Sequence, residues 1–167
     1  MGLNEVEAER MSSSAAETVD GKYLQFELNG EYYGVDILKV REINGMMDIT
    51  AVPQTPRFMR GLINLRGKVV PVIDLRLKFG LEEAAYDERT SIIVIELKSI
   101  YGQVQMGILV DTVSEVVTIN SANIESAPNF GARLKSEYIK GMAKVKNKVV
   151  IILDIDLILT DEELTFG

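Results

Sequence analysis

Residues 61–75, GLINLRGKVVPVIDL, contain two apolar runs that flank the charged tripeptide Arg66-Gly67-Lys68. Two short apolar runs around a tight connection are typical of a β-hairpin whose strands are buried. Because burying a guanidinium is costly, the pattern predicts that Arg66 lies at the exposed tip of the hairpin. The hairpin would therefore present a fixed cation to solvent.

The same pattern occurs a second time, because residues 61–75 align without a gap on residues 141–155, GMAKVKNKVVIILDI, with Lys146 in place of Arg66. The identical positions are Gly61, Lys68, Val69, Val70 and Asp74, which recur as Gly141, Lys148, Val149, Val150 and Asp154. Upstream, three more residues recur in the same order: Gly34, Val40 and Glu42 as Gly107, Val113 and Glu115. Two copies are too few for a repeat array, so we interpret the chain as a duplicated small β module.

Each copy offers about five short strands separated by turn signals, which favours a small closed barrel because closure removes exposed strand edges. The sequence therefore predicts a mainly β fold of two five-stranded β-barrels, each followed by a short helix with Asp74 or Asp154 as its N-cap. Each half would be marginally stable alone, so we expect a shared hydrophobic interface. Exchange of terminal strands is one way to form it.

The domain boundaries follow from this duplication. We place the first barrel at about residues 21–86 and the second at about residues 87–160. Residues 1–20 hold few large apolar groups and a Ser-Ser-Ser-Ala-Ala run, which predicts a disordered tail, with a short partner-docking helix as the alternative. Residues 161–167 are expected to form a C-terminal tail.

The composition narrows the possible functions. The chain has 18 Lys and Arg against 25 Asp and Glu, a net charge of −7, which argues against general nucleic-acid binding. Cysteine and histidine are both absent, which removes thiol and Ser-His-Asp catalysis, most zinc sites and the commonest general base near neutral pH. We therefore expect a non-enzyme with no catalytic residues, no metal and no cofactor.

The sequence shows no targeting segment. The N-terminus lacks the basic start and the apolar stretch of a signal peptide. No apolar run approaches the roughly 18 residues of a membrane span. We therefore expect a cytoplasmic protein without direct membrane insertion.

Two features allow more than one interpretation. Asp154-x-Asp156 could suggest a metal site, but the match between Asp154 and Asp74 favours a helix cap. A stretch in which Asp74 is the only acid forms either a solvated face or a positive patch for an acidic protein surface. Its basic residues are Arg57, Arg60, Arg66, Lys68, Arg76 and Lys78.

Four segments together resemble the CheW family of chemotaxis coupling proteins. They are EYYGVDILKVREI (residues 31–43), GLINLRGKVVPVIDLRLKFG (61–80), GILVDTVSEVV (107–117) and APNF (127–130). The resemblance runs from about Lys22 to Thr160 and is shared by the regulatory domain of the kinase CheA and by CheV proteins. This chain has no room for a kinase or receiver domain and no phosphorylatable histidine, so the stand-alone coupling proteins are the better match.

The resemblance implies two intertwined SH3-like barrels and a non-enzymatic adaptor. Such an adaptor couples the cytoplasmic tips of chemoreceptors, the methyl-accepting chemotaxis proteins, to the regulatory domain of the histidine kinase CheA in membrane-associated signalling arrays. Carried over by motif, the receptor-binding residues are Val40, Glu42, Gly61 and Arg66. Ile37 and Ile43 are added as apolar anchors, because a helix in a groove is recognised by apolar anchors beside a polar clamp.

The resemblance also implies an array contact at Phe130 and a main kinase interface on the second barrel. Two residue assignments remain open at this point: Val40 could be ordinary core, and Phe130 could be tucked under its own turn. The alternative function is a regulatory barrel that binds a small acidic metabolite through Arg66. A dry pocket of several hundred cubic ångströms would favour the metabolite, and a shallow groove would favour the adaptor.

Overall fold

The computed structural model describes residues 19–99, 102–126 and 136–159. Phe130 and the C-terminal tail lie outside these residues, as do residues 1–18 of the predicted N-terminal tail. Asp20, which the prediction assigned to the tail, is already the first residue of a strand.

Within the described residues the chain forms ten strands and two short α-helices. The first five strands are β1 (Asp20–Leu28), β2 (Glu31–Asp36), β3 (Val40–Gly45), β4 (Met59–Leu65) and β5 (Lys68–Asp74). The other five are β6 (Ser91–Ser99), β7 (Gly102–Val110), β8 (Thr112–Asn120), β9 (Ile139–Val145) and β10 (Lys148–Leu153). The helices are α1 (Leu75–Lys78) and α2 (Ile155–Leu159), and each follows the second strand of a hairpin.

The strands form two five-stranded sheets, which confirms the predicted mainly β fold. Sheet one has the order β3-β6-β7-β5-β4, and sheet two has the order β8-β1-β2-β10-β9. The pairs β5–β7 and β2–β10 are parallel, and the other neighbours are antiparallel. Five short strands per sheet are consistent with SH3-like barrels.

Each sheet takes strands from both halves of the chain. The chain passes from sheet two to sheet one at the 3-10 turn Ile37–Lys39 and returns at Asp111. The predicted boundary near residue 86 therefore does not separate the two sheets, because β1 and β2 pair with strands of the second half and β6 and β7 pair with strands of the first.

The exchange of strands creates a core between the sheets. The largest cluster of buried side chains contains Phe26 of β1, Ile73 of β5, Ile93 of β6 and Leu153 of β10, so both sheets contribute to it. Two smaller clusters of buried side chains lie within single sheets, one in sheet one and the other in sheet two. Burial of apolar side chains stabilises the folded state by about 25 cal/mol per Å². Each half of the chain is too small to bury enough apolar area alone, so the core that both halves share contributes to the stability of both.

The two hairpins have the same register. Leu65 is paired with Lys68 in the first, and Val145 with Lys148 in the second. The loop residues Arg66 and Gly67 have φ of 52° and 86°, while the loop Lys146-Asn147 has φ of 50° and 65°. Positive φ at both positions of a two-residue loop is the type I′ pattern, which fits the twist of the flanking strands.

The predicted helix caps are also present. The Asp74 side chain accepts a hydrogen bond of 2.9 Å from the backbone N–H of Arg76 at the start of α1. Asp154 accepts one of 3.2 Å from the N–H of Leu157. The helix α1 ends before Gly80, whose positive φ of 76° suits the residue after a helix.

Candidate functional site

Arg66 stands at the tip of the first hairpin, where the sequence pattern predicts it. Its side chain is 77% exposed, and its Nη2 atom donates to the Glu42 Oε2 atom at 2.8 Å. We call this ion pair, with Asn44 beside it, the Arg66 corner. It joins two of the predicted receptor-binding residues, one in β3 and the other in the turn between β4 and β5.

Glu42 is held from two sides. It follows a bulge in β3, where Val40 is paired with Ile95 and Glu42 with Val94. The Asn44 Nδ2 atom donates to its Oε1 atom at 3.1 Å, so each carboxylate oxygen has a donor. The hydrogen bonds from Arg66 and then Asn44 lower the pKa of the Glu42 carboxyl. The carboxylate is therefore charged and fixed at neutral pH.

The three predicted apolar anchors differ in accessibility. Ile37 and Val40 are partly buried and pack against the core between the sheets. Ile43 is 45% exposed on β3, next to Glu42. Of the three, Ile43 thus offers the most apolar surface to a partner.

Gly61 is buried in β4 rather than displayed. Its φ is 141°, and a Cβ at this position would lie 2.1 Å from the carbonyl oxygen of Thr50. The glycine allows Thr50 and Leu62 to exchange two backbone hydrogen bonds of 2.8 Å. Its position affects the shape of the loop before β4.

The predicted basic patch is largely paired with acids. Arg57 and Arg60 both reach Glu83, at 3.4 and 3.1 Å. Arg76 binds Asp111 at 2.6 Å, and the Lys78 ammonium lies 4.6 Å from the centre of the Phe58 ring. These acids come from loops and turns that follow the basic stretch, so the sequence alone gave no signal for the neutralisation.

A second hairpin corner repeats the first. The Lys146 Nζ atom lies 3.0 and 3.3 Å from the two carboxylate oxygens of Glu115. We call this pair the Lys146 corner. Glu115 and Lys146 are the positions that align with Glu42 and Arg66 in the duplication.

An exposed apolar pair was missed by the sequence reasoning. Leu38 is 83% exposed in the turn between β2 and β3, and Leu157 is about half exposed on α2. Their neighbours Lys39 and Asp156 form an ion pair of 2.9 Å, which brings the two segments together. We call Leu38 and Leu157 the leucine pair. Its only signal in the sequence is the apolar residue Leu38, directly after the predicted anchor Ile37.

Arg66 lies on a projecting corner and not in a cavity. Three pockets have volumes of about 320, 560 and 640 Å³, and Arg66 lines none of these. The first lies at the return to sheet two and has polar walls that include Glu27, Asp87 and Asp111. A metabolite site at Arg66 would need a dry pocket beside that residue, and none of these three pockets is one.

The described part of the chain offers neither a carboxylate cluster for a metal ion nor a helix that could span a membrane. No group of three or more Asp and Glu side chains there is arranged to hold a metal ion. Within residues 19–99, 102–126 and 136–159, no helix is long and apolar enough to cross a membrane.

Comparison with known proteins gives consistent matches. The family description "CheW-like domain" matches residues 22–163. The chemotaxis protein CheW of Klebsiella aerogenes is 42% identical over 154 residues, which is 92% of this chain and 90% of the relative. The CheW protein of Bacillus subtilis is 33% identical over 141 residues, covering 84% and 88%.

A solved structure agrees with the sequence matches. The crystal structure of the scaffolding protein TtCheW from Thermoanaerobacter tengcongensis superimposes with a TM-score of 0.75 and 34% identity. The match covers 87% of this chain and 91% of that protein. The family domain spans most of the chain, and the fold agrees. The chain therefore belongs to the CheW family.

Proposed function

We propose that this protein is a non-enzymatic chemotaxis adaptor that couples the cytoplasmic tip of a chemoreceptor to the regulatory domain of the histidine kinase CheA. The observation that carries the proposal is the exposed and oriented Arg66 at the Arg66 corner. Family membership supports the adaptor role, since the related structure is that of a scaffolding protein. Membrane arrays would recruit the protein through the receptor.

The Arg66 corner is the proposed receptor surface. Arg66 has five N–H donors, and the bond to Glu42 leaves others for a partner carboxylate or a helix-end carbonyl. Ile43 follows Glu42 in β3, so its side chain lies on the opposite face of that strand, where it is 45% exposed and offers a separate apolar contact. A cationic fork and an apolar anchor are the kinds of contact that recognise a helix, such as those of the helical hairpin at a receptor tip.

An adaptor also needs a surface for its second partner, and we assign the leucine pair to the kinase. Leu38 is the more exposed of the two, and burial of its apolar side chain by a partner would be favourable. Leu157 belongs to α2, which follows the last strand of sheet two. This placement agrees with a kinase interface on the second barrel.

The proposal is tested with the full chain immobilised and with purified receptor-tip and CheA regulatory-domain fragments. We expect both fragments to be retained at once, as a complex of three proteins. Leu38→Asp should weaken retention of the kinase fragment and leave that of the receptor fragment nearly unchanged. Val104→Asp places the same charge at a different exposed apolar residue, a valine on β7, and is the matched control. Failure to retain either fragment would contradict the adaptor function.

A further inference from the structure

The Arg66 corner contains a polar residue that no family motif pointed to. Asn44 lies two residues after Glu42 in β3, so both side chains are on the same face of the strand. The amide donates to one carboxylate oxygen at 3.1 Å, and the guanidinium donates to the other at 2.8 Å. The three side chains therefore form a chain in which Glu42 is the central link.

The Lys146 corner lacks this arrangement. Two residues after Glu115 stands Val117, a buried side chain that cannot donate a hydrogen bond. Both oxygens of Glu115 instead approach the single ammonium of Lys146. The Glu115 side chain is 48% exposed against 26% for Glu42, so the carboxylate is less enclosed at the second corner.

We infer that Asn44 is a positioning residue for Arg66, because it fixes the carboxylate that orients the guanidinium. This inference rests on the proposed receptor contact of Arg66. A side chain that is already held loses less freedom when it binds, so preorganisation of this kind strengthens association. Loss of the Asn44 amide should weaken binding of the receptor tip by about three- to tenfold.

A double-mutant cycle tests the inference, with a purified receptor-tip fragment as the probe. Asn44→Ala should weaken binding about three- to tenfold in the otherwise unchanged protein. In the Arg66→Ala background the same substitution should change binding by less than about 1.5-fold, because its effect passes through Arg66. Asn44→Ser, which keeps a donor, should recover part of the loss. Asn123→Ala, an exposed asparagine in the turn after β8, is the control.

A second readout does not depend on the receptor. The hydrogen bond from Asn44 contributes to the lowered pKa of Glu42, so Asn44→Ala should raise that pKa toward the ordinary glutamate value in an NMR titration. An unchanged pKa would overturn the inference whatever the receptor does. Equal losses from Asn44→Ala with and without Arg66 would also overturn it. If Arg66→Ala alone leaves receptor binding intact, the proposed receptor contact of Arg66 fails, even when the pKa of Glu42 responds.

Discussion

The Arg66 corner and the Lys146 corner share a backbone and differ in their side chains. In β3, Val40 is paired with Ile95 and Ile43 with Ile93. Two residues of β3 therefore lie opposite one residue of β6, which is a β-bulge. The second copy repeats this bulge, with Val113 and Val116 paired with Phe26 and Leu24. Both corners also have a basic residue in a left-handed turn that contacts a glutamate.

The difference lies in what holds the cation. Arginine has a planar fork, whereas lysine is a point charge on a flexible stem. Asn44 adds a donor at the first corner, and Asn64 accepts a hydrogen bond of 2.7 Å from the N–H of Gly67 within the turn. At the second corner these positions are Val117 and Lys144. The duplicated scaffold thus supplies the geometry, and differences at a few positions give the basic residue of the first corner more hydrogen-bonded neighbours.

The largest difference in stability between the two copies is expected when the buried glycine of each hairpin is replaced by alanine. Gly61→Ala combines a strained positive φ with a contact of 2.1 Å to the Thr50 carbonyl oxygen. Strain and overpacking together should lower the free energy of unfolding by about 2–6 kcal/mol. At Gly141 the corresponding contact to the Glu125 carbonyl oxygen is 2.6 Å, and we expect a smaller loss of about 1–3 kcal/mol. Urea unfolding of both variants measures the difference, and a larger loss at Gly141 would contradict this ranking.

The second largest difference in the free energy of unfolding is expected between variants of the two capping aspartates. Asp74 is buried and also accepts a hydrogen bond of 2.9 Å from the Tyr86 hydroxyl, so Asp74→Ala removes a cap and strands that hydroxyl. We expect a loss of about 2–4 kcal/mol in the free energy of unfolding. Within the described residues, the Asp154 side chain makes only the capping hydrogen bond. Asp154→Ala should therefore lower the free energy of unfolding by about 1 kcal/mol. Thermal unfolding of both variants is the measurement, and equal losses would mean that the Tyr86 contact contributes nothing.

The smallest contrast concerns backbone strain at the turns. Arg66 and Lys146 occupy left-handed positions that glycine tolerates better. The Arg66→Gly variant should therefore be more stable than Arg66→Ala by about 1 kcal/mol, and the same order should hold at Lys146. Comparison of glycine with alanine removes the lost ion pair from the result, because neither variant retains it. If glycine is the less stable replacement at both turns, the left-handed conformation is not a source of strain.

The elements that could be predicted depend on local signals. The Arg66-Gly67 turn and the helix caps follow from residues close in sequence, and the duplication follows from the recurrence of the same residues in the same order. Exchange of terminal strands was only one possibility from the residues and an implication of the resemblance; the strands that pair could not be predicted, because the pairing of Tyr32 with Val150 joins residues from opposite ends of the chain. Turn and cap residues carry no information about which distant strand will be a neighbour.

The candidate site shows the same limit. Glu42 and Arg66 were each assigned to the receptor surface, but their ion pair links positions 24 residues apart. Asn44 lies at the end of β3, and the sequence carries no signal that its side chain reaches Glu42. Gly61 was assigned as a contact and is buried, since a motif does not distinguish a residue that touches a partner from one that shapes the surface.

Binding of a receptor-tip fragment to the two corner variants tests the central claim most directly. Arg66→Ala should weaken receptor binding by about 1–3 kcal/mol, a factor of roughly 5 to 150, while Lys146→Ala should change it by less than about threefold. Binding of the CheA regulatory-domain fragment to folded Arg66→Ala should also change by less than about threefold. Equal losses at the two corners, equal losses for the two partners, or no loss of receptor binding in Arg66→Ala would contradict the account.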